Sequence, residues 1–376
     1  MKKLKSLYLH TPFCRKKCLY CDFLSAEYDR SLASAYIDTI CFQIENLKEK
    51  FDTIYLGGGT PTVLEIPLLR KILSALEKRR ARDCEFSLEA NPESLTKSKV
   101  KLFLEKGVNR LSIGIQSLRD EKLKQLGRIH TAQQALKAID ISRGGGFKNI
   151  SLDMIFGLWD ESFGQWQKEL ERIVRLPITH ISAYALTYEP GTPLSDKVVD
   201  KKIAPLDEGR VAKMFNFNIS YLAKKGFKPY EVSNFAKNGF VCQHNYNYWL
   251  NNQYQALGVS AVSYLKGVRK RRINSVFEYI KLFKERKSNI LETEELTPIN
   301  RAKETAALKI RTIAGIDFDW FFQETGFDFL KLQGKYLEEL REKGLIRDKK
   351  RNGSYKGILL SKKGLLHCDE VSSTFL

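Results

Sequence analysis

No apolar run in this 376-residue chain approaches the roughly 20 residues that a membrane-spanning helix needs. The basic start Met1-Lys2-Lys3-Leu4-Lys5 leads into no hydrophobic region of the signal-peptide kind. The expected location is therefore cytoplasmic. Internal repeats and low-complexity tracts are also missing. Acidic residues are in deficit: 44 Asp and Glu against 63 Lys and Arg leave a net charge of +19. Such a surplus attracts polyanions, a membrane surface or an acidic ligand, or it reflects a lysine-rich surface without a partner. It is spread along most of the chain, with denser clusters at 266–272 and 349–351. No RNA-recognition or helix-turn-helix reader accompanies them, so no nucleic acid is expected as a partner. A peripheral contact with a membrane stays open. Four of the seven cysteines, Cys41, Cys84, Cys242 and Cys368, have no spacing logic. They are expected to be small buried thiols in a reducing compartment.

The other three cysteines are grouped. Cys14, Cys18 and Cys21 fall within eight positions of His10-Thr11-Pro12-Phe13-Cys14-Arg15-Lys16-Lys17-Cys18-Leu19-Tyr20-Cys21-Asp22-Phe23, spaced C-x3-C-x2-C. Three thiolates can hold three irons of a [4Fe–4S] cube and leave the fourth iron without a protein ligand. An open iron can bind a small molecule and pass it an electron. Zinc is the plainer alternative. It wants a fourth ligand at finger-like spacing, and no second Cys or His pair follows. The ligands must be thiolates, a state that Arg15, Lys16 and Lys17 are expected to favour.

Short apolar strands alternate with amphipathic helices, the βα repeat of a parallel sheet. Strands are expected at 6–10, 53–56, 85–90, 110–115, 149–154 and 180–186, and helices at 34–48, 67–80, 97–106 and 132–143. This α/β series fits a partial (β/α)6 TIM-like barrel, with chemistry at the carboxyl ends of the strands. After Pro190 the pattern changes to a helix at 207–225, a strand at 228–232 and an aromatic stretch over 234–254. From Leu296 onward a smaller α+β domain is expected, with helices at 300–311 and 330–343, a hairpin of 345–348 with 357–360, and a final helix. That order is winged-helix-like. The expected division is 1–233 for the barrel, 234–295 for a connecting segment packed on it, and 296–376 for the C-terminal domain.

Polar residues mark the strand ends. Gly57-Gly58-Gly59-Thr60-Pro61 follows the second strand, where glycines let backbone approach a ligand. Glu89 lies near the end of the third strand, Gln116 ends the fourth, Asp153 lies near the end of the fifth, and Arg128 follows in a loop. A carboxylate suits ribose hydroxyls and a guanidinium suits a carboxylate. Strand-end capping would explain one such residue; three successive strands ending this way favour a site. Further on, His244-Asn245-Tyr246-Asn247-Tyr248-Trp249 combines an imidazole with flat apolar rings. It reads either as a ligand for heme iron with surface for a macrocycle, or as a histidine satisfied in an aromatic core.

The cysteine spacing, with a glycine-rich strand end one βα unit later, resembles the radical S-adenosylmethionine (SAM) superfamily. Four strings narrow the resemblance. Tyr8-Leu9-His10-Thr11-Pro12-Phe13-Cys14, Gly57-Gly58-Gly59-Thr60-Pro61, Leu111-Ser112-Ile113-Gly114-Ile115-Gln116 and Asp153-Met154-Ile155-Phe156-Gly157-Leu158 are similar to the branch that holds HemN, the oxygen-independent coproporphyrinogen III oxidase, and HemW, a heme chaperone. The resemblance implies that SAM chelates the open iron through its methionine end. It implies SAM contacts at Tyr8, Gly58, Gly59, Thr60, Glu89, Gln116, Arg128 and Asp153. Tyr20 would lay its ring against adenine or pack the cluster loop. Val262, in Gly258-Val259-Ser260-Ala261-Val262-Ser263, would close over the adenosine or serve tight packing. HemN carries a further cysteine two positions after the third ligand, where this chain has Phe23, and a longer arm before the motif. Both departures, and the H-N-x-x-Y-W string, resemble the HemW side. The implied cofactors are a [4Fe–4S] cluster, SAM and heme, with heme at His244. The implied partners are heme or porphyrin, a heme-acceptor protein and a reductant for the cluster. The alternative activity is oxidative decarboxylation of coproporphyrinogen III.

Overall fold

The computed structural model describes residues 5–351 and 353–376; the start of the chain to residue 4, Asn352 and the side chain of Arg351 lie outside it, and with them most of the basic start and part of the 349–351 cluster. Six strands run parallel: β1 (Ser6–Thr11), β2 (Phe51–Gly58), β3 (Arg80–Ala90), β4 (Arg110–Gln116), β5 (Asn149–Phe156) and β6 (His180–Ala185). Between them lie α1 (Arg30–Glu45), α2 (Ile66–Glu77), α3 (Lys97–Glu105), α4 (Ala132–Gly145) and α5 (Phe163–Ile173). The fold is a partial (β/α)6 barrel, as the alternation predicts.

The two phases of the strands explain it. Leu7, Leu9, Ile54, Leu56, Phe86, Leu88, Leu111, Ile113, Ile150 and Leu152 are fully buried in one core, each stabilising by about 1.5–3 kcal/mol. The alternate phase is polar. Tyr8 is in register with Tyr55 and Ser87, Glu89 with Ser112, and Asp153 with Ser182. TIM-barrel interiors are normally filled by branched apolar side chains. A polar inner phase instead leaves room for a ligand.

Helix starts follow local chemistry. Asp29 accepts from the Leu32 N–H, so α1 begins at Arg30 rather than at 34. Thr131 with Gln134 and Ser162 with Gln165 form capping boxes. Gly146, at φ 118°, ends α4.

Both barrel edges are extended. On one side β7 (Asn234–Ala236) pairs antiparallel with β6. On the other, β8 (Tyr254–Leu257) runs parallel to β1 and is followed by antiparallel β9 (Val262–Leu265), β10 (Val268–Arg272) and β11 (Ile290–Glu295). Between β7 and β8 the expected aromatic stretch forms a short helix, Gln243–Trp249. Its first turn is held by Glu85 of β3, whose carboxylate accepts from the N–H groups of Gln243 (3.0 Å) and His244 (3.1 Å). The helix therefore seats against the amino ends of β1, β2 and β3, where Ser6, Thr53 and Glu85 are in register.

The C-terminal part is α+β and winged-helix-like. Pro298–Lys309, Phe318–Thr325, Phe329–Gln333 and Leu337–Glu342 are helical, and Ile316–Asp317 joins the hairpin of Ile346–Arg351 and Ser354–Leu360. The helix predicted over 330–343 is broken by a tight turn at Gly334–Tyr336, and the helix Phe318–Thr325 is additional. Asn251, just past the helix Gln243–Trp249 (the plug helix), ties it to this part by donating to Glu304 (3.2 Å) and Thr305 (3.0 Å). Among the described residues no helix is long and apolar enough to cross a membrane.

Candidate functional site at the barrel mouth

The cluster loop leaves the end of β1. Fully buried Phe13 packs edge-on against Tyr36 at 5.6 Å and Tyr28 at 6.3 Å. His10 Nε2 lies 3.0 Å from the Leu24 carbonyl and Nδ1 lies 3.1 Å from the Tyr8 hydroxyl. The imidazole thus donates to Leu24, accepts from Tyr8 and ties the loop to the strand. All three motif cysteines are free thiols, partly exposed, while Cys41, Cys84, Cys242 and Cys368 are buried as expected. Cys14 Sγ stands 3.5 Å from the Thr60 hydroxyl, and Cys18 Sγ accepts from Arg128 Nη1 at 3.3 Å. The flanking cations do not decide the thiol state. Burial raises Cys14 and pushes Cys21 up to about 11, outweighing the nearby Lys17 and Arg128 charges. Metal uptake here must displace protons.

Cys14, Cys18 and Cys21 line one cavity of about 680 Å³ together with Tyr8, Tyr20, Gly58, Gly59, Thr60, Glu89, Gln116, Arg128 and Asp153. That volume suits a cofactor-sized ligand. Val262 is not among them. It lines a neighbouring cavity of about 480 Å³, because β9 belongs to the antiparallel extension and not to the barrel mouth.

The strand ends shape the first cavity. Gly58 has φ 111°, and a Cβ there would sit 2.6 Å from the His10 ring; only glycine fits. Glu89 accepts from the Tyr55 hydroxyl (2.8 Å) and from the Gly58 N–H (3.0 Å). Burial, then the Asp153 charge, raises Glu89 to about 7. Asp153 is also raised by burial and accepts from Ser112 at 3.2 Å on each oxygen. Gln116 has φ 59°, and the β4–β5 register shifts beside it. A bulge of this kind re-aims a side chain at a site. Arg128 is held by Gly114 O (2.7 Å) and Asn91 Oδ1 (2.8 Å), and Asn91 in turn donates to Thr60 (2.9 Å). Asn91, Tyr55, Arg110, Ser112 and Ser182 also line the cavity and were not singled out in the sequence. The signal for Asn91 is its phase: 87, 89 and 91 share one face of β3 and its continuation.

His244 reaches the margin of the same cavity but is only 1% exposed. Its Nδ1 lies 2.8 Å from Thr53 Oγ1, whose hydroxyl donates to Ser6, and its Nε2 lies 2.8 Å from the Tyr248 hydroxyl. Nδ1 is therefore the donor and Nε2 accepts from Tyr248. Burial, helped by the Arg110 charge, lowers the imidazole to about 3 and keeps it neutral. Of the two sequence readings, the geometry matches a satisfied core histidine; reaching a heme iron would require breaking the bond to Tyr248.

Residues 8–173 match the sequence model of the radical SAM superfamily. The heme chaperone HemW of Bacillus subtilis is 33% identical over 99% of this chain and 99% of its own length. The chain belongs to the HemN/HemW branch of the radical SAM superfamily. Within that branch it is also similar to the heme chaperone HemW of Lactococcus lactis, 32% identical over 93% of each chain. The mitochondrial radical S-adenosyl methionine domain-containing protein 1 of Bos taurus is 31% identical over 99% of this chain and 87% of its own. The solved coproporphyrinogen III oxidase HemN of Escherichia coli superposes with a TM-score of 0.84 over 100% of this chain and 90% of its own, at 20% identity, which establishes the shared fold.

Membership of this superfamily implies a [4Fe–4S] cluster and SAM. The cavity fits them in its donor set: three free thiols, a glycine cradle that a Cβ would fill, the carboxylates of Glu89 and Asp153 and the guanidinium of Arg128. Among the described residues no three Cys, His, Asp or Glu groups converge as a single metal ion requires.

Proposed function

We propose that the chain is a heme chaperone. It would hold a [4Fe–4S] cluster on Cys14, Cys18 and Cys21, bind SAM in the first cavity, bind heme beside it and pass the heme to an acceptor protein. When bound, the cluster supplies an electron that SAM can accept. The chain's own residues do the positioning. Gly58, Gly59 and Thr60 present backbone to the methionine end, Arg128 meets its carboxylate, and Glu89 and Asp153 accept from ribose hydroxyls.

The observation that carries the heme reading is the second cavity. Tyr8, Phe23, Tyr248, Tyr254 and Tyr264 line it, and Tyr8, Phe23 and Tyr248 are shared with the first. Such rings offer flat apolar surface to a macrocycle. Phe23 is 64% exposed on the shared rim, where a macrocycle in the second cavity would cover it. Arg269 also lines this cavity, with Glu294 and Glu304 holding its guanidinium, so a propionate would have to displace one of them. Relatives carrying the name heme chaperone support the same reading. In it, His244 orients Tyr248 rather than ligating iron.

Anaerobic titration of cluster-reconstituted protein with hemin tests the proposal. A shifted Soret band in the wild type, weakened in Tyr248→Phe and in Phe23→Ala, is expected. No Soret change in the wild type would refute it. Conversion of coproporphyrinogen III to protoporphyrinogen with SAM and a reductant would replace it by the oxidase reading.

A further inference from the structure

The floor of the first cavity holds a charge that the proposed SAM contacts leave unused. Arg110 opens β4, is 1% exposed and still lines the cavity. Its Nε and Nη1 have no hydrogen-bond partner among the described residues. The neighbouring carboxylates are otherwise engaged. Glu85 accepts from Gln243 and His244, Glu89 from Tyr55 and Gly58, and Asp153 from Ser112. A buried guanidinium with idle donors is costly, and native structures pair nearly all such groups. The charge that would pair it is an anion arriving with a ligand.

Position separates this group from Arg128. Six residue steps of strand separate Arg110 from Gln116 at the rim, about 20 Å at 3.3 Å per residue. Arg128 belongs to the rim, where it touches Cys18 and the Gly114 carbonyl. One cavity thus carries two guanidinium groups at two depths.

We propose that Arg110 is a carboxylate-binding subsite for a second ligand, seated deeper than the one held at the rim. The inference rests on the reading of the rim as the SAM site only for what "second" means. A buried guanidinium whose Nε and Nη1 no protein acceptor takes, and which lines the cavity, suits capture of a carboxylate. Two sources carry that group: the propionates of a tetrapyrrole and the amino-acid end of a further SAM molecule.

Cluster-reconstituted full-length wild type, Arg110→Met and Arg110→Lys are compared in anaerobic titrations with hemin, hemin dimethyl ester, SAM and decarboxylated SAM, with thermal melts of the ligand-free forms. Ligand-free Arg110→Met is expected to melt somewhat lower than wild type, since the cation also faces the carboxylates of Glu85, Glu89 and Asp153. A loss of about tenfold or more in hemin affinity in both variants, with the ester unaffected, assigns the subsite to a propionate. A drop in SAM stoichiometry in both variants, with no such drop for decarboxylated SAM and hemin unchanged, assigns it to the amino-acid carboxylate. Wild-type binding of all four probes by both variants overturns the proposal. So does a much lower melt of Arg110→Met without loss of binding, which would make Arg110 a structural cation. If the wild type binds no hemin but the SAM result appears, the chaperone reading fails and the subsite stands.

Discussion

Burial and the Asp153 charge hold Glu89 at about 7 in the folded chain, against an ordinary value of 4.5. Folding therefore takes up a proton between those two values. The stability this confers is present below the lower one and is lost as pH rises through the upper one. Glu89→Gln removes the titration. In the ligand-free protein its unfolding free energy in urea should match wild type at about pH 4 and exceed it at about pH 8 by on the order of 2–3 kcal/mol. Equal free energies at both pH values would mean that Glu89 is not desolvated as described. At His244 the expectation is structural. Alanine would strand the Thr53 and Tyr248 hydroxyls and leave a cavity beneath Tyr55, whose ring stacks on the imidazole at 5.1 Å. His244→Ala should cost about 2–4 kcal/mol in thermal or urea unfolding without any heme present. A variant that melts like wild type and loses only heme would return His244 to the role of iron ligand. Residue chemistry was legible where it sat at a strand end: Glu89, Gln116 and Asp153 were visible as polar groups closing apolar runs. Arg110 and Asn91 were not. Arg110 stands at the start of its strand, where only the register with Ser87 reveals that it faces inward, and Asn91 lies beyond the end of its own, where its phase with 87 and 89 is the one sign.

At the scale of elements, the barrel strands were readable because period-2 apolar faces and short polar ends recur six times. The helix Gln243–Trp249 was not, because it is too short for a 3.6-residue period and its start is capped from another strand. Glu85 does the work that an N-cap residue normally does in sequence. The same point makes the helix separable. Glu85→Ala should leave the barrel's far strands intact but free two N–H groups and loosen the plug, costing about 1–2 kcal/mol. Hydrogen exchange should show the loss as faster exchange confined to the plug helix and its neighbours on β1 and β2. Uniform acceleration through β4, β5 and β6 would mean instead that the plug and barrel unfold as one unit. The antiparallel run β9, β10 and β11 escaped the sequence for another reason. Its outer strand Ile290–Glu295 is almost wholly exposed and runs from an apolar pair into glutamates with no period-2 apolar face, leaving no buried face to read.

Across the whole molecule the two cavities meet at one wall. Tyr8, Phe23 and Tyr248 touch both, Tyr8 reaches the cluster loop through His10, and Tyr248 reaches the barrel floor through His244. Ligands on opposite sides of a shared wall order the same side chains, so each makes the other's binding less costly. SAM should therefore tighten hemin binding, and thermodynamic linkage requires hemin to tighten SAM by the same factor. A coupling of about fivefold or more is expected, at the lower end of typical values. Phe23 is the test of the route. It is exposed in the ligand-free chain and can contribute to coupling only if a ligand covers it. Phe23→Ala should reduce the coupling toward unity while leaving SAM affinity alone nearly unchanged. The four affinities, each ligand with and without the other, close a thermodynamic cycle. If the cycle closes with a factor of one in the wild type, the shared wall transmits nothing and the two cavities act as independent sites.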